Sequence, residues 1–153
     1  PAVEEIYVPY DGGGLACGIA AGLRAAGSAA RVIAVEPETA APLAASLAAG
    51  VPVTIDYRAS FVDGAGGRSV LAEMWPLAQE LVAEARTVSL GETAEAVRLL
   101  AERARVVAEG AGGLALAAAR AAAGRGRRAV AIVSGGNIDA ARLGSILRGE
   151  VPA

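Results

Sequence analysis

Short β-prone runs alternate along the chain with longer Ala-rich segments of helical pattern, and this alternation restricts the possible folds more than any other feature. Residues 6–8 form an apolar run that stops at Pro9, and the glycines Gly12, Gly13 and Gly14 then lead into an Ala-rich stretch over 15–26. Residues 31–35 repeat the strand signal, Glu36-Pro37 ends it, and 38–49 reads as a second helix closed by Gly50. Farther on, 71–85 is helical in pattern, 86–88 is a short strand, and Ser89 with Glu92 forms a capping box that opens a helix over 90–108. That helix carries apolar residues at Ala96, Leu99, Leu100 and Val107. Gly110 to Gly113 are expected to break it before a helix over 114–123. Residues 129–133 read as a continuous apolar buried strand, followed by Ser134-Gly135-Gly136-Asn137 and a helix over 138–147. Strands joined through helices imply crossover connections and a mostly parallel sheet, hence a three-layer αβα architecture of the α/β class. Residues 50–68 are long for a passive connection and include a short extended piece over 53–55.

Composition narrows the chemistry. The 153 residues suffice for a single α/β domain spanning 1–153 with one packed core, and 54% of them are hydrophobic against 3% aromatic, which calls for close packing of small side chains. All 14 basic residues are Arg, with neither Lys nor His, so the chain has no lysine amine or imidazole of its own for catalysis. Its one cysteine, Cys17, cannot form an internal disulfide and reads as a small buried helix residue. A net charge of -2 argues against general nucleic-acid binding, and the run Arg125-Gly126-Arg127-Arg128 reads as a solvated loop. The uncharged stretch 39–55 is too short and too interrupted by Pro42 and Pro52 to span a membrane. No export signal precedes the first strand, so a cytoplasmic setting is expected, and a start at Pro1 points to processing or to a piece of something longer.

Two glycine-rich loops stand where open parallel sheets bind ligands, beyond the carboxyl ends of strands. Gly12 to Leu15 bring backbone N–H groups without Cβ atoms to the start of a helix, a physical cradle for phosphate; such glycines also serve tight strand-helix packing. Ser134 places a hydroxyl at a strand tip, able to bond a ring nitrogen, while Asn137 reads as the cap of the following helix. Glu109 stands at the edge of the same cleft, as a site residue or as a solvated helix terminus.

The runs Tyr7-Val8-Pro9-Tyr10-Asp11-Gly12-Gly13-Gly14-Leu15, Val32-Ile33-Ala34-Val35-Glu36-Pro37-Glu38, Val62-Asp63-Gly64, Thr87-Val88-Ser89, 106–112 and Ile132-Val133-Ser134-Gly135-Gly136-Asn137 together resemble the fold-type-II pyridoxal-phosphate enzymes of the threonine/serine dehydratase and serine racemase group. The resemblance implies the large-domain fold of that group and a pyridoxal 5'-phosphate cofactor. It implies that Gly12, Gly13, Gly14 and Leu15 hold the phosphate, that Gly64 lies against the ring, that Ser134 bonds the ring nitrogen and that Glu109 lines the substrate side. The implied parent activity is loss of water and ammonia from threonine or serine. The group's Schiff-base lysine and its substrate-carboxylate loop have no counterpart here, so the chain resembles the C-terminal part of such an enzyme, inactive alone and completed by the rest of the enzyme, a partner chain or a homo-oligomer.

Asp11 departs from the group's pattern, standing where another glycine is usual, and either caps the helix or repels a phosphate dianion. The group's divalent-cation site would use Glu36, the Ala40 carbonyl and a carboxylate at position 42; Pro42 offers none, so no metal is expected. Two other readings stand beside this one. In the first, Gly12, Gly14 and Gly18 open a dinucleotide-binding helix and Glu36 is the ribose-binding acid, although the spacing is not G-x-G-x-x-G. In the second, the chain is a non-catalytic domain for phosphorylated ligands or for assembly.

Overall fold

The computed structural model describes residues 2–124 and 126–153. Four strands, β1 (Glu5–Pro9), β2 (Arg31–Pro37), β3 (Glu84–Val88) and β4 (Ala129–Ala131), form one sheet in the order β3-β2-β1-β4. Every pairing is parallel: Glu5 stands opposite Arg31 and Ala129, and Ile33 opposite Glu84. The helices are α1 (Gly14–Ala25), α2 (Pro42–Ala49), α3 (Trp75–Leu81), α4 (Leu90–Leu99), α5 (Gly110–Ala121) and α6 (Ala140–Leu147), with a π-helical turn at Leu100–Ala104.

Successive side chains along a strand point to opposite faces, and two core clusters follow from this alternation. Tyr7, Ile33 and Val35 pack under Val97, Leu114, Ala118 and Ile146, from α4, α5 and α6. Val8, Val32 and Ala34 pack on the other face under Ala16, Cys17, Leu43 and Ala78, from α1, α2 and α3. The result is the expected three-layer αβα sandwich. Cys17 is buried, as its helix position implied. Among the described residues, no helix is long and apolar enough to cross a membrane.

The departures from sequence expectation have local causes. Helix α2 starts at Pro42 rather than at position 38, because proline occupies the first turn and the Glu36 carboxylate accepts from the Leu43 and Ala44 amides at 2.9 and 2.8 Å. The helical pattern over 71–85 yields only α3, since Val82 turns extended and the chain enters β3 to pair with β2. The capping box of α4 forms in full, yet the helix ends early: the π turn runs into Arg105, which sits in the left-handed region at φ 60°, and Val107 is 56% exposed. The glycines at 110–113 start α5 instead of breaking a helix. A Cβ on Gly110 would meet the Phe61 carbonyl at 2.8 Å, and one on Gly113 would meet Val97 Cγ2 at 2.7 Å, so these glycines let α5 lie against α4 and the 61–62 segment.

Strand β4 is three residues long and exposed at Ala129 and Val130, in contrast to the buried five-residue strand expected. Among the described residues it pairs with β1 alone, as an edge strand. The connection over 50–68 is held by an antiparallel bridge between Thr54 and Ser69 and by the Gly66 amide donating to the Tyr10 carbonyl at 2.8 Å. Arg127 and Arg128 pair with Glu5 and Glu4, while Arg125 lies outside the described residues.

Candidate functional site

Beyond the carboxyl ends of β1 and β4 lies a cavity of about 290 Å³, lined by Pro9, Asp11, Gly12 to Ala16, Gly64, Glu109 and Ser134. All seven residues singled out from the sequence, Gly12, Gly13, Gly14, Leu15, Gly64, Glu109 and Ser134, meet there.

The glycine loop is shaped by the entry to α1. Gly13 is the N-cap of that helix at φ 91°, a conformation that favours glycine, and no side chain caps the helix. The first helical bond in this turn runs from the Cys17 amide to the Gly13 carbonyl at 2.9 Å, which leaves the amides before it for a ligand. A Cβ on Gly14 would meet nothing within 4 Å, so the space beside the loop is open. The helix end adds about half a positive charge.

On the opposite wall, half-buried Glu109 occupies the N-cap of α5, but its side chain makes no capping bond there. Its backbone N–H donates to the Gly135 carbonyl and its carboxylate accepts from the Asn137 backbone N–H, both at 3.1 Å. A Cβ on Gly135 would collide with this carboxylate, and one on Gly136 would meet the Val107 carbonyl at 2.8 Å. Glu109 therefore braces the turn that presents Ser134. A Cβ on Gly64 would come within 3.2 Å of both Glu109 Oε1 and Ala111 Cβ, so this glycine keeps the wall flat. Asn137 does not cap α6: that helix begins at Ala140, and the Asp139 carboxylate accepts from the Ala141 and Arg142 amides at 2.8 and 3.2 Å.

The only charged side chains lining the cavity among the described residues are Asp11 and Glu109, both acidic. An anion placed here would meet backbone N–H groups rather than arginines. Asp11 stands on the rim and does not cap α1, which has no side-chain cap. Glu36 lies elsewhere, fully buried with both oxygens on the α2 amides, and so is not free to meet a ribose. Among the described residues, no group of three or more His, Cys, Asp or Glu side chains could hold a metal ion. Sequence reasoning did not single out the roles of Gly135 and Gly136 in the fit around Glu109 and Val107. Their signal was present in the paired glycines, but their partners lie far away in the chain.

The family described as pyridoxal-phosphate dependent enzyme matches residues 1–135. A putative threonine dehydratase of Sinorhizobium fredii is 34% identical over 157 residues, covering 100% of this chain and 47% of that protein. An L-threonine ammonia-lyase of Thermotoga maritima is 32% identical, covering 96% of this chain and 37% of its own length. The crystal structure of the T.th. threonine deaminase superposes with a TM-score of 0.82 at 34% identity, over 88% of this chain and 49% of that one. The chain thus spans less than half the length of these relatives. With a family match over most of its length and the fold to go with it, the chain belongs to the pyridoxal-phosphate-dependent enzymes.

Proposed function

We propose that this chain is the C-terminal part of an ammonia-lyase acting on a small β-hydroxy amino acid, threonine or serine, to give a 2-oxo acid and ammonia. One observation carries the reading: the glycine loop and the Ser134 turn, far apart in sequence, face one cavity. The residues present suit a phosphorylated pyridine, with uncapped amides and no Cβ at the loop, a flat wall at Gly64 and a neutral hydroxyl at Ser134. The cavity lies near the lower end of the range of about 300–1,000 Å³ typical of small-molecule sites.

When bound, the cofactor supplies an electron sink for the charge left at Cα on deprotonation. The amides of Gly12 to Leu15 hold the phosphate and so fix the position of the ring. Ser134 Oγ donates to the ring nitrogen, and an alcohol there, unlike a carboxylate, does not favour a protonated ring. That milder sink suits loss of a β-hydroxyl as water over transamination. Glu109 keeps the Ser134 turn in place and lines the substrate side. With neither Lys nor His in the chain, the amine that moves the Cα proton comes from the remainder of the enzyme.

The test is ammonia release from threonine and serine. The chain alone is expected to release none, whereas the longer enzyme carrying it turns over. Ser134→Ala in that enzyme should lower kcat about five- to tenfold, with an unchanged circular dichroism spectrum, as loss of one hydrogen bond implies. Release by the chain alone would end the proposed division of labour. Unaltered kinetics in Ser134→Ala would remove Ser134 from the ring.

A further inference from the structure

A second cavity, of about 310 Å³, opens at the amino ends of β1 and β4, at the other end of the sheet from the glycine loops. Leu116, Ala119 and Ala129 give it an apolar side, while Glu5, Arg120 and Arg127 bring charge to it. The reaction proposed above makes no use of it. Two elements reach both cavities: β1 runs from Glu5 here to Pro9 at the first, and α5 runs from its N-cap Glu109 at the first to Arg120 here.

The polar side is built around a buried carboxylate. Glu5 and Tyr7 stand two residues apart on β1 and so point to one face of the sheet, where the Tyr7 hydroxyl donates to Glu5 Oε2 at 2.8 Å. Glu5 is 3% exposed, and its other oxygen lies 3.4 Å from Arg31 Nη1 and 3.5 Å from Arg127 Nε. Glu5 thus holds Arg127 by Nε and leaves the two terminal nitrogens of that guanidinium without a partner. Arg120, exposed near the end of α5, makes no side-chain hydrogen bond or ion pair among the described residues. Arg86 donates to the Tyr7 hydroxyl at 3.0 Å and pairs with Glu84, and the neighbouring Glu4 is taken by Arg128. The guanidinium groups of Arg31, Arg86, Arg120 and Arg127 therefore stand around only two carboxylates, Glu5 and Glu84, and the mouth of the cavity carries positive charge to spare.

We propose that this cavity is a second ligand site, made for a small aliphatic carboxylate whose anion meets Arg120 and the terminal nitrogens of Arg127 and whose hydrocarbon lies on Leu116, Ala119 and Ala129. A planar guanidinium matches a carboxylate through two parallel N–H groups. The apolar side adds about fourfold in affinity for each methylene it covers. An amine of the same length would face the arginines, and an anion without a tail would gain nothing from the apolar side.

NMR titration of the 153-residue chain with butanoate, acetate and butylamine tests this. Butanoate should bind with a Kd on the order of 1 mM, shift the backbone amides of residues 119–123 and 129, and leave those of Gly12 to Leu15 in place. Acetate, two methylenes shorter, should bind about fifteenfold more weakly, and butylamine should not bind. Arg120→Gln, on an exposed face of α5, should weaken butanoate at least about tenfold, and Ala119→Leu should fill the apolar side and remove the preference for butanoate over acetate. Butanoate affinity unchanged in Arg120→Gln, equal affinity for acetate, or shifts confined to the glycine loop overturns the proposal. Calorimetry on the longer enzyme carries the test to the complete molecule: a butanoate site that depends on Arg120 should persist there, and its loss would mean that the remainder of the enzyme fills the cavity, which overturns the proposal as well.

Discussion

Glu36 ends the most deeply buried strand and caps a helix that cannot cap itself. Pro42 has no amide to offer, Ala41 at the N-cap has no acceptor in its side chain, and the Leu43 and Ala44 amides take the Glu36 oxygens instead. Burial pushes the pKa of this carboxyl up to about 7 from 4.5, and the two amides pull it back only in part. A group whose pKa is raised on folding contributes stability that is present in full below the unfolded value and is lost as pH rises through the folded one. Glu36 should thus make the fold less stable at pH 7 than at pH 4.5, on a background set by the other groups. Glu36→Gln keeps the shape but can accept through one oxygen only, so it leaves one amide unpaired, at about 1–3 kcal/mol. Urea unfolding across this pH range should show a lower midpoint for Glu36→Gln at the acid end and a shallower fall toward neutrality. A parallel pH dependence in the two proteins would contradict the assignment. None of this was legible in the sequence, where Glu36 read as the end of a strand and, in the alternative dinucleotide reading, as a ribose-binding acid: the deciding fact is which amides lie above the strand end, and that depends on where α2 begins.

At the level of elements, the glycines of α4 and α5 show how far local propensity reaches. Alanine in place of a helical glycine ordinarily stabilises by about 0.5–1 kcal/mol. Gly91, in the first turn of α4, has only Ser89 Oγ near its missing Cβ, at 4.0 Å, so Gly91→Ala should follow that rule. Gly113 should reverse it, because a Cβ there would meet Val97 Cγ2 at 2.7 Å and the Thr93 carbonyl at 3.1 Å. Gly113→Ala is expected to cost about 1–3 kcal/mol by overpacking, read as a fall in the denaturation midpoint with unchanged slope. Equal stabilisation by both substitutions would show that α4 and α5 can move apart freely. The same physics explains which boundaries could be read. The α4 start was legible because Ser89 and Glu92 satisfy each other within one turn, whereas the α5 start was not, because its glycines answer to Phe61, Val97 and Gly135, distant in sequence.

For the molecule as a whole, layer order and cavity were both readable from the alternation of strands with helices, since parallel crossovers place the glycine loops on one side of the sheet. The last strand was not. A run such as 129–133, apolar at every position, describes a strand covered on all sides, yet among the described residues β4 has a neighbour only in β1 and Val130 is 37% exposed. The far edge, β3, differs: there Arg86 pairs with Glu84 at 2.6 Å, the charged finish of an edge that discourages further pairing. An apolar edge at one end and a charged edge at the other, in a chain less than half as long as its relatives, point to β4 as the seam with the rest of the enzyme. The Ile132 amide donates inward to the Tyr7 carbonyl at 3.0 Å, so by alternation the amides of Ala131 and Val133 face the open side. Hydrogen exchange should therefore find Ala131 and Val133 unprotected in this chain alone and slowed at least about a hundredfold in the longer enzyme, where a new strand would accept from them. If both amides exchange as fast in the longer enzyme, the seam lies elsewhere, and the exposed apolar run at β4 has to be explained by contact between copies of the enzyme.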